Sequence, residues 1–513
     1  MTGAPWIFGD APADHPALIV ADTGETLTFG TLNDRSARLA NLFAADGLVQ
    51  GDPVALLLEN GSDFIVAVWA ARRAGLLCVP LNWHLAPDEI GYILGDCGAK
   101  AVVASPRFTK LVAGSGSPTL RCYLFGPEES GWRDIEAELA RTRADRPQPE
   151  LGGGMMLYSS GTTGRPKGII ASGGQGRSLA ELTTYEKLYR DFHAVSPAST
   201  VLTAGPLYHA APLNWAIGPQ RLGATIVIFR HFDAAACLEA LSRQGVTHCQ
   251  MVPIHFVRLL KLPDDVRRRA SIPTLTRVVH AGAPCPVAVK AAMMDWWGPV
   301  IWEYYSGSEG FGMTAIDPEE WLAHPGSVGR PRYGGPIEIV GPDGESLPVG
   351  DIGLVYFSNP REFAYQGRES QSHDAINAKG WATFGDMGWL DSEGFLYLAD
   401  RKGHMIISGG VNIYPAEIEA ALLQHPAVGD AAVIGVPDEE YGERVHAVIE
   451  PARGHPVGVG LEAELAAYVR ERLAGFKVPR SFEFLNELPR SEAGKLLKRE
   501  LRARHWGDAK VRI

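Results

Sequence analysis

Between Tyr158 and Gly168 the chain reads YSSGTTGRPKG, directly after the apolar run Met155-Met156-Leu157-Tyr158. Gly161, Gly164 and Gly168 let the backbone fold tightly and bring N–H groups close to an anion. Ser159, Ser160, Thr162 and Thr163 add hydroxyl donors, and Lys167 adds a compact positive charge. This is chemistry suited to holding a polyphosphate. It is not a Walker motif, because no Gly-Lys-Ser/Thr ends it and no helix start follows at the required place. Alone, such a string is most often a polar surface loop. Four other segments hold reactive side chains: GPLYHAAPLNW (205–215), WEYYSGSE (302–309) with AGAP (281–284) upstream, the stretch 384–417, and PRSEAGKLLKR (489–499). Each has an ordinary reading too. His209 would be a core or surface histidine, the aromatic stripe core packing, Asp386 a turn residue, and Lys498 and Arg499 a solvated helix face.

The elements that must position these residues are legible in outline. Val54 to Leu58 is a short apolar run, Phe64 to Ala74 has a helix-compatible pattern, and Leu76 to Leu81 is strand-like. Strand, helix, strand at this spacing indicates a parallel βαβ unit. The theme recurs with strands expected at Ala101-Val102-Val103, Ala224 to Phe229, Val246-Thr247-His248 and Arg277-Val278-Val279. Doubly wound sheets follow, with sites at the carboxyl ends of the strands. From about Pro325 to Asp400 short alternating strands with Gly-containing turns predict a β-rich subdomain. Beyond Asp400 come a helix from Pro415 to Leu423, a strand from Ala431 to Val436 and a helix from about Leu461 to Leu473. The expected fold class is α/β. A large N-terminal domain (1–400, with the β-rich subdomain at about 325–400) precedes a small C-terminal α+β domain (401–513).

At 513 residues the chain is too long for one ordinary core. A formal charge of −11 argues against non-specific nucleic-acid binding, so any nucleotide site must be locally positive. Six cysteines without paired spacing suit thiols in a reducing compartment. No signal peptide is visible at the N-terminus. Arg72-Arg73 interrupts the longest apolar stretch, so no membrane span is expected. A soluble, cytoplasmic protein is the reading, its oligomeric state open, with a homodimer among the alternatives.

Taken in order, the five segments resemble the adenylate-forming acyl-CoA synthetases, and the resemblance spans about residues 25 to 505. It implies a carboxylate–CoA ligase with ATP, Mg²⁺ and coenzyme A: acid and ATP give an acyl-adenylate and pyrophosphate, then CoA gives a thioester and AMP. It assigns the loop Ser159 to Gly164, with Lys167, to the phosphates, and Gly282, Ala283, Pro284 and Tyr305 to the adenine. Ser308 matches a phosphate contact, Glu309 the carboxylate for Mg²⁺, Asp386 the grip on the two ribose hydroxyls, and Arg401 a second ribose- or phosphate-side contact. Lys495 matches the lysine that stabilises charge as the carboxylate attacks the α-phosphate. His209 matches an aromatic between carboxylate and nucleotide. Tyr185, His209, Ala211, Tyr304, Ser306 and Phe311 are expected around the acyl group, with Ser306 standing where many relatives have glycine. Ser408, Gly409, Gly410, Tyr441, Phe476 and Lys477 match CoA contacts. Gly403 stands at the pivot of a mobile C-terminal domain, where most relatives have Asp or Lys. Gly403 and Ser306 keep a second acceptor open: an amine, a carrier-protein thiol, or nitrite activation for diazotisation of an aryl amine.

Overall fold

The computed structural model describes residues 5–113, 120–145, 151–159, 166–171, 176–361, 363–365, 375–401, 403–452, 454–455, 457, 460–491 and 496–506. Strands Pro53–Leu57 and Ala101–Ala104 are apolar on both faces because their sheet is parallel and covered on both sides. Helix Ser62–Arg73 is buried from Phe64 through Arg73. A helix apolar all round needs cover on every side. It has that cover: one core cluster joins it to Val54 and Leu56 of this five-stranded sheet and to Leu18, Val201 and Ile226 of a second sheet. The two arginines that interrupt the apolar run are paired inside: Arg72 bridges Glu186 at 3.1 Å, and Arg73 donates to Asn33.

The second sheet has 13 strands among the described residues. Its parallel part includes Thr200–Thr203, Thr225–Ile228, His248–Met251, Arg277–His280 and Ile301–Ser306. Antiparallel strands Met313–Ile316 and Ser327–Tyr333 then carry the same sheet into the β-rich region. That region keeps a core of its own around Phe311, Val355 and Phe357.

One expected strand is displaced. Val246 and Thr247 precede the strand, which runs His248–Met251. Gly245, at φ +58°, ends helix Ala234–Arg243, and the Val246 N–H closes back on Leu241 O at 3.1 Å. Apolar Val246 is therefore the residue that follows a glycine cap.

The separate C-terminal domain is built on the hairpin of Val428–Asp438 and Gly442–Pro451, flanked by Ile406–Ser408 and Ser481–Phe484. Helices Pro415–Leu422, Leu461–Arg470 and Lys498–Trp506 complete it. Lys498, expected on a solvated face, is buried and pairs with Glu419 at 2.8 Å. Its helix packs Leu501 onto the sheet, which carries Lys498 inward. Lys261 of the large domain donates to Gly429 O across the domain boundary. No helix among the described residues is long and apolar enough to cross a membrane.

Candidate active site

Strands Arg277–His280 and Ile301–Ser306 are parallel neighbours whose carboxyl ends deliver Gly282, Ala283 and Pro284 on one side and Tyr305 on the other. Gly282 has φ +88°, a conformation that favours glycine and turns the chain away from the strand. The Tyr305 hydroxyl donates to Asp386 Oδ2 at 2.7 Å, and Arg401 Nε lies 3.3 Å from Asp386 Oδ1. Asp386 and Arg401 face each other directly across paired strands. Three residues separated by up to 96 positions thus meet at one buried carboxylate. Burial, reinforced by the Asp386 charge, pushes the Tyr305 phenol well above its ordinary range, so it stays a donor. Phe384 and Phe357 back the Tyr305 ring. Ser308 and Glu309 follow in the next turn, and the Glu309 carboxylate lies so close to Gly307 that a Cβ there would stand 2.6 Å from Oε2.

The Gly-rich segment expected at the phosphates is framed from both ends. Strands Met156–Ser159 and Lys167–Ala171 form an antiparallel pair with Ser159 opposite Lys167. Tyr158 donates to Asp96 Oδ2 at 2.7 Å, and Tyr92 contacts both Asp96 and Pro166 O, which ties the hairpin to helix Pro87–Asp96. Ser160, Gly161, Thr162, Thr163 and Gly164 lie outside the described residues, as does Lys495. Arg490 and Leu496 form an antiparallel bridge that closes the segment holding Lys495.

Among the residues expected around the acyl group and their neighbours, Tyr185 and Tyr333 place their hydroxyls 3.2 Å apart. Ser306 donates to Gly312 O at 2.7 Å and stands in register with Tyr333 across Met313. The Arg361 guanidinium lies 3.9 Å from the centre of the Tyr333 ring. Glu186 fixes Tyr185: it completes a capping box with Thr183 and also binds Arg72. His209 and Ala211 open helix Ala210–Arg221, with His209 as the cap residue. Tyr304 is half-buried on the strand that carries Ser306. Phe311 departs from expectation. It has no exposed surface and stacks on Phe384 at 4.0 Å, so its ring belongs to the antiparallel core. Tyr333 and Arg361 were not legible in the sequence, since each reaches the site through strand order alone.

A buried triad of ionisable side chains lies beneath the Gly282–Pro284 turn and Tyr305. Lys290 Nζ is 2.7 Å and His280 Nε2 is 3.3 Å from Glu303 Oε2. His280 stands two residues before Gly282, and Glu303 two before Tyr305. Burial alone would raise the Glu303 carboxyl, but Lys290 and then His280 overcome it and hold it well below the ordinary range. The one signal in the sequence was Lys290 itself, a lone cation in the apolar helix Val287–Trp297.

In the C-terminal domain Gly409 and Gly410, at φ +57° and +80°, form the two-residue turn between Ile406–Ser408 and Val411–Ile413. Gly409 N donates to Tyr441 O at 2.8 Å, and a Cβ on Gly409 would stand 2.9 Å from the Tyr441 ring. Arg480 stacks on that ring at 4.3 Å. Phe476 is exposed, and Lys477 pairs with Glu417 at 2.5 Å. Arg502 donates to Gly403 O at 3.1 Å and bridges Glu443. Asp400 accepts from Ala416 N at the start of the next helix. Gly403 has no side chain, but its neighbours hold the segment.

A model of the AMP-binding enzyme family matches residues 8–364, and one of the AMP-binding enzyme C-terminal domain matches residues 417–495. The chain belongs to the AMP-binding enzyme family. It is 34% identical over 507 residues to a feruloyl-CoA synthase from Amycolatopsis sp, covering 97% of this chain and 98% of that relative. A fatty acid–[acyl-carrier-protein] ligase from Streptomyces coeruleorubidus is 30% identical over 501 residues, covering 96% and 94%. Among solved structures, ATP-bound MatB from Rhodopseudomonas palustris aligns with a TM-score of 0.81 at 27% identity over 97% of each chain. This family member is an AMP-forming acid–thiol ligase of the acyl-CoA synthetase type. ATP and a carboxylic acid give an acyl-adenylate, and CoA then takes the acyl group as a thioester.

Proposed function

We propose that ATP lies between Tyr305 and the Gly282–Pro284 turn, with its ribose hydroxyls on Asp386. The meeting of Tyr305, Asp386 and Arg401 is the observation that carries this reading. A carboxylate held by two donors keeps lone pairs for two further hydroxyls. The phosphates extend toward the Ser159–Lys167 hairpin. Glu309 would hold Mg²⁺, a hard ion commonly bound by one or two carboxylates plus phosphate oxygens. When bound it neutralises phosphate charge. The single carboxylate of Glu309 beside the nucleotide walls fits that need. Asp386→Asn keeps the shape and removes the charge. It is expected to raise the KM for ATP about 10- to 100-fold, the range for losing charge-assisted hydrogen bonds. Steady-state pyrophosphate release against ATP concentration measures this, and an unchanged KM would remove the ribose assignment.

The acyl group enters beside His209, Ala211, Tyr304 and the hydroxyls of Tyr185, Tyr333 and Ser306. Those hydroxyls favour an acid carrying a hydrogen-bonding substituent over a plain hydrocarbon chain, in keeping with the feruloyl-CoA synthase relative. Before the second half-reaction the C-terminal domain turns about Gly403 and brings Ser408–Gly410 and Tyr441 to the adenylate. The packing of Gly409 against Tyr441 supports CoA as acceptor, because only a bare backbone leaves room for a pantetheine arm there. Gly409→Leu should leave acid-dependent pyrophosphate exchange within about two-fold and reduce thioester formation at least about 100-fold, as expected when geometry at the reacting thiol is lost. Equal loss of both half-reactions would mean that the turn supports the fold and not the CoA path. The protein acts in the cytoplasm in this reading, which the buried thiols of Cys78, Cys97, Cys237 and Cys249 support.

A further inference from the structure

Strand Ser481–Phe484 runs parallel to Gly442–Pro451 with His446 opposite Ser481. Helix Lys498–Trp506 packs on the same sheet through Leu501, against Ala432, Ile434 and Val448. Together these elements gather His446, Glu483 and His505, with one donor atom from each within 4.8 Å of the others. Glu483 Oε2 lies 3.7 Å from His446 Nε2 and 3.3 Å from His505 Nε2. Donors on a tetrahedral ion with bonds near 2.0–2.1 Å are roughly 3.3 Å apart, so both carboxylate spacings are close to what an ion needs. The two imidazole rings lie 4.7 Å apart and tilted by 60°.

The buried member is the informative one. His446 is 5% exposed, and its Nδ1 lies 2.8 Å from Ser481 Oγ. With Nδ1 donating to that hydroxyl, Nε2 presents a lone pair toward Glu483, the arrangement in which an outer partner fixes the tautomer of a ligating histidine. Nε2 is buried with no hydrogen-bond partner among the described residues. Such an atom costs free energy unless something occupies it. Arg504 lies 3.5 Å from the other oxygen, Oε1, and leaves Oε2 facing the histidines. Arg444 adds positive charge nearby.

We propose that His446, Glu483 and His505 form a binding site for a zinc-type divalent transition ion, with a fourth position open to water. Two imidazoles and one carboxylate suit such an ion better than Mg²⁺ or Ca²⁺, which take oxygen ligands. None of the nucleotide, acyl or CoA residues belongs to this site. The ion would clip the terminal helix and the strand Ser481–Phe484 to the central hairpin. That helix also carries Arg502, which holds Gly403 O, so its rigidity bears on the pivot.

The test is a calorimetric titration of the full-length, tag-free enzyme with Zn²⁺ in the absence of ATP. Co²⁺ replaces Zn²⁺ in a parallel titration read by visible absorption. One ion per chain is expected, with a tetrahedral Co²⁺ spectrum that excess Mg²⁺ does not displace. His505→Ala removes an exposed ligand at a helix end, and Glu483→Gln removes the carboxylate charge. Each should weaken Zn²⁺ binding at least about 10-fold while pyrophosphate exchange without added Zn²⁺ is retained. A wild-type chain with no one-to-one Zn²⁺ site, or one that binds Zn²⁺ equally well after both substitutions, overturns the proposal.

Discussion

Lys495→Ala is expected to lower acid-dependent pyrophosphate exchange by about 100- to 1,000-fold, the cost of removing one donor aimed at charge that develops in a transition state. In adenylation the negative charge grows around the α-phosphate as the carboxylate attacks and pyrophosphate departs. Few groups are needed beyond well-placed cations, because the reaction is mainly positioning and electrostatics. Lys495 follows a glycine in the short segment closed by the Arg490–Leu496 bridge. The same substitution should leave thioester formation from supplied acyl-adenylate within about two-fold, since that step releases AMP and does not involve pyrophosphate. Parallel measurement of the two half-reactions separates this from general damage. Unchanged exchange would remove Lys495 from adenylation.

Glu303→Gln is expected to be the most destabilising of the substitutions considered, by about 3–5 kcal/mol, the range for removing one partner of a buried ion pair. The loss comes from leaving Lys290 buried, with no exposed surface and no carboxylate beside it. Pairing the change with Lys290→Met should recover most of the stability, because replacing both charges removes the uncompensated one. Denaturant midpoints of the two variants measure this. The pH dependence has a definite sign. Glu303 is depressed in the folded enzyme, so its contribution is present above the ordinary carboxyl pKa and is lost as pH falls through the depressed value. Wild type and Glu303→Gln should therefore converge in stability only in strong acid. The KM for ATP should rise in the variant as well, since the triad ties the strand leading to Gly282 to the strand carrying Tyr305. If Glu303→Gln and the double variant were equally stable, the ion pair would not be what holds these strands together.

The family was legible in the order of residues. The Gly- and hydroxyl-rich loop and the Gly409–Gly410 pair stand in local patterns, whereas Glu309 and Asp386 stood out only through the family resemblance, since alone each has an ordinary reading. Strand and helix placement followed because the backbone conformation each needs is set by near neighbours, except where a glycine cap made Val246 look like the start of a strand. Residues that depend on strand order were invisible. Tyr333 stands in register with Ser306 only because Met313–Ile316 lies between their strands, and Arg361 reaches Tyr333 only because its N–H donates to Phe311 O after strand Gly353–Phe357. The His280–Lys290–Glu303 triad, the burial of Lys498 and the His446–Glu483–His505 cluster are of the same kind. Burial and pairing of a charge depend on what packs opposite it, and no sequence neighbour records that. Residue order alone thus specifies a chain that activates an acid with ATP, while folding decides which hydroxyls gather near Ser306 and what holds the strands leading to Gly282 and Tyr305 in register.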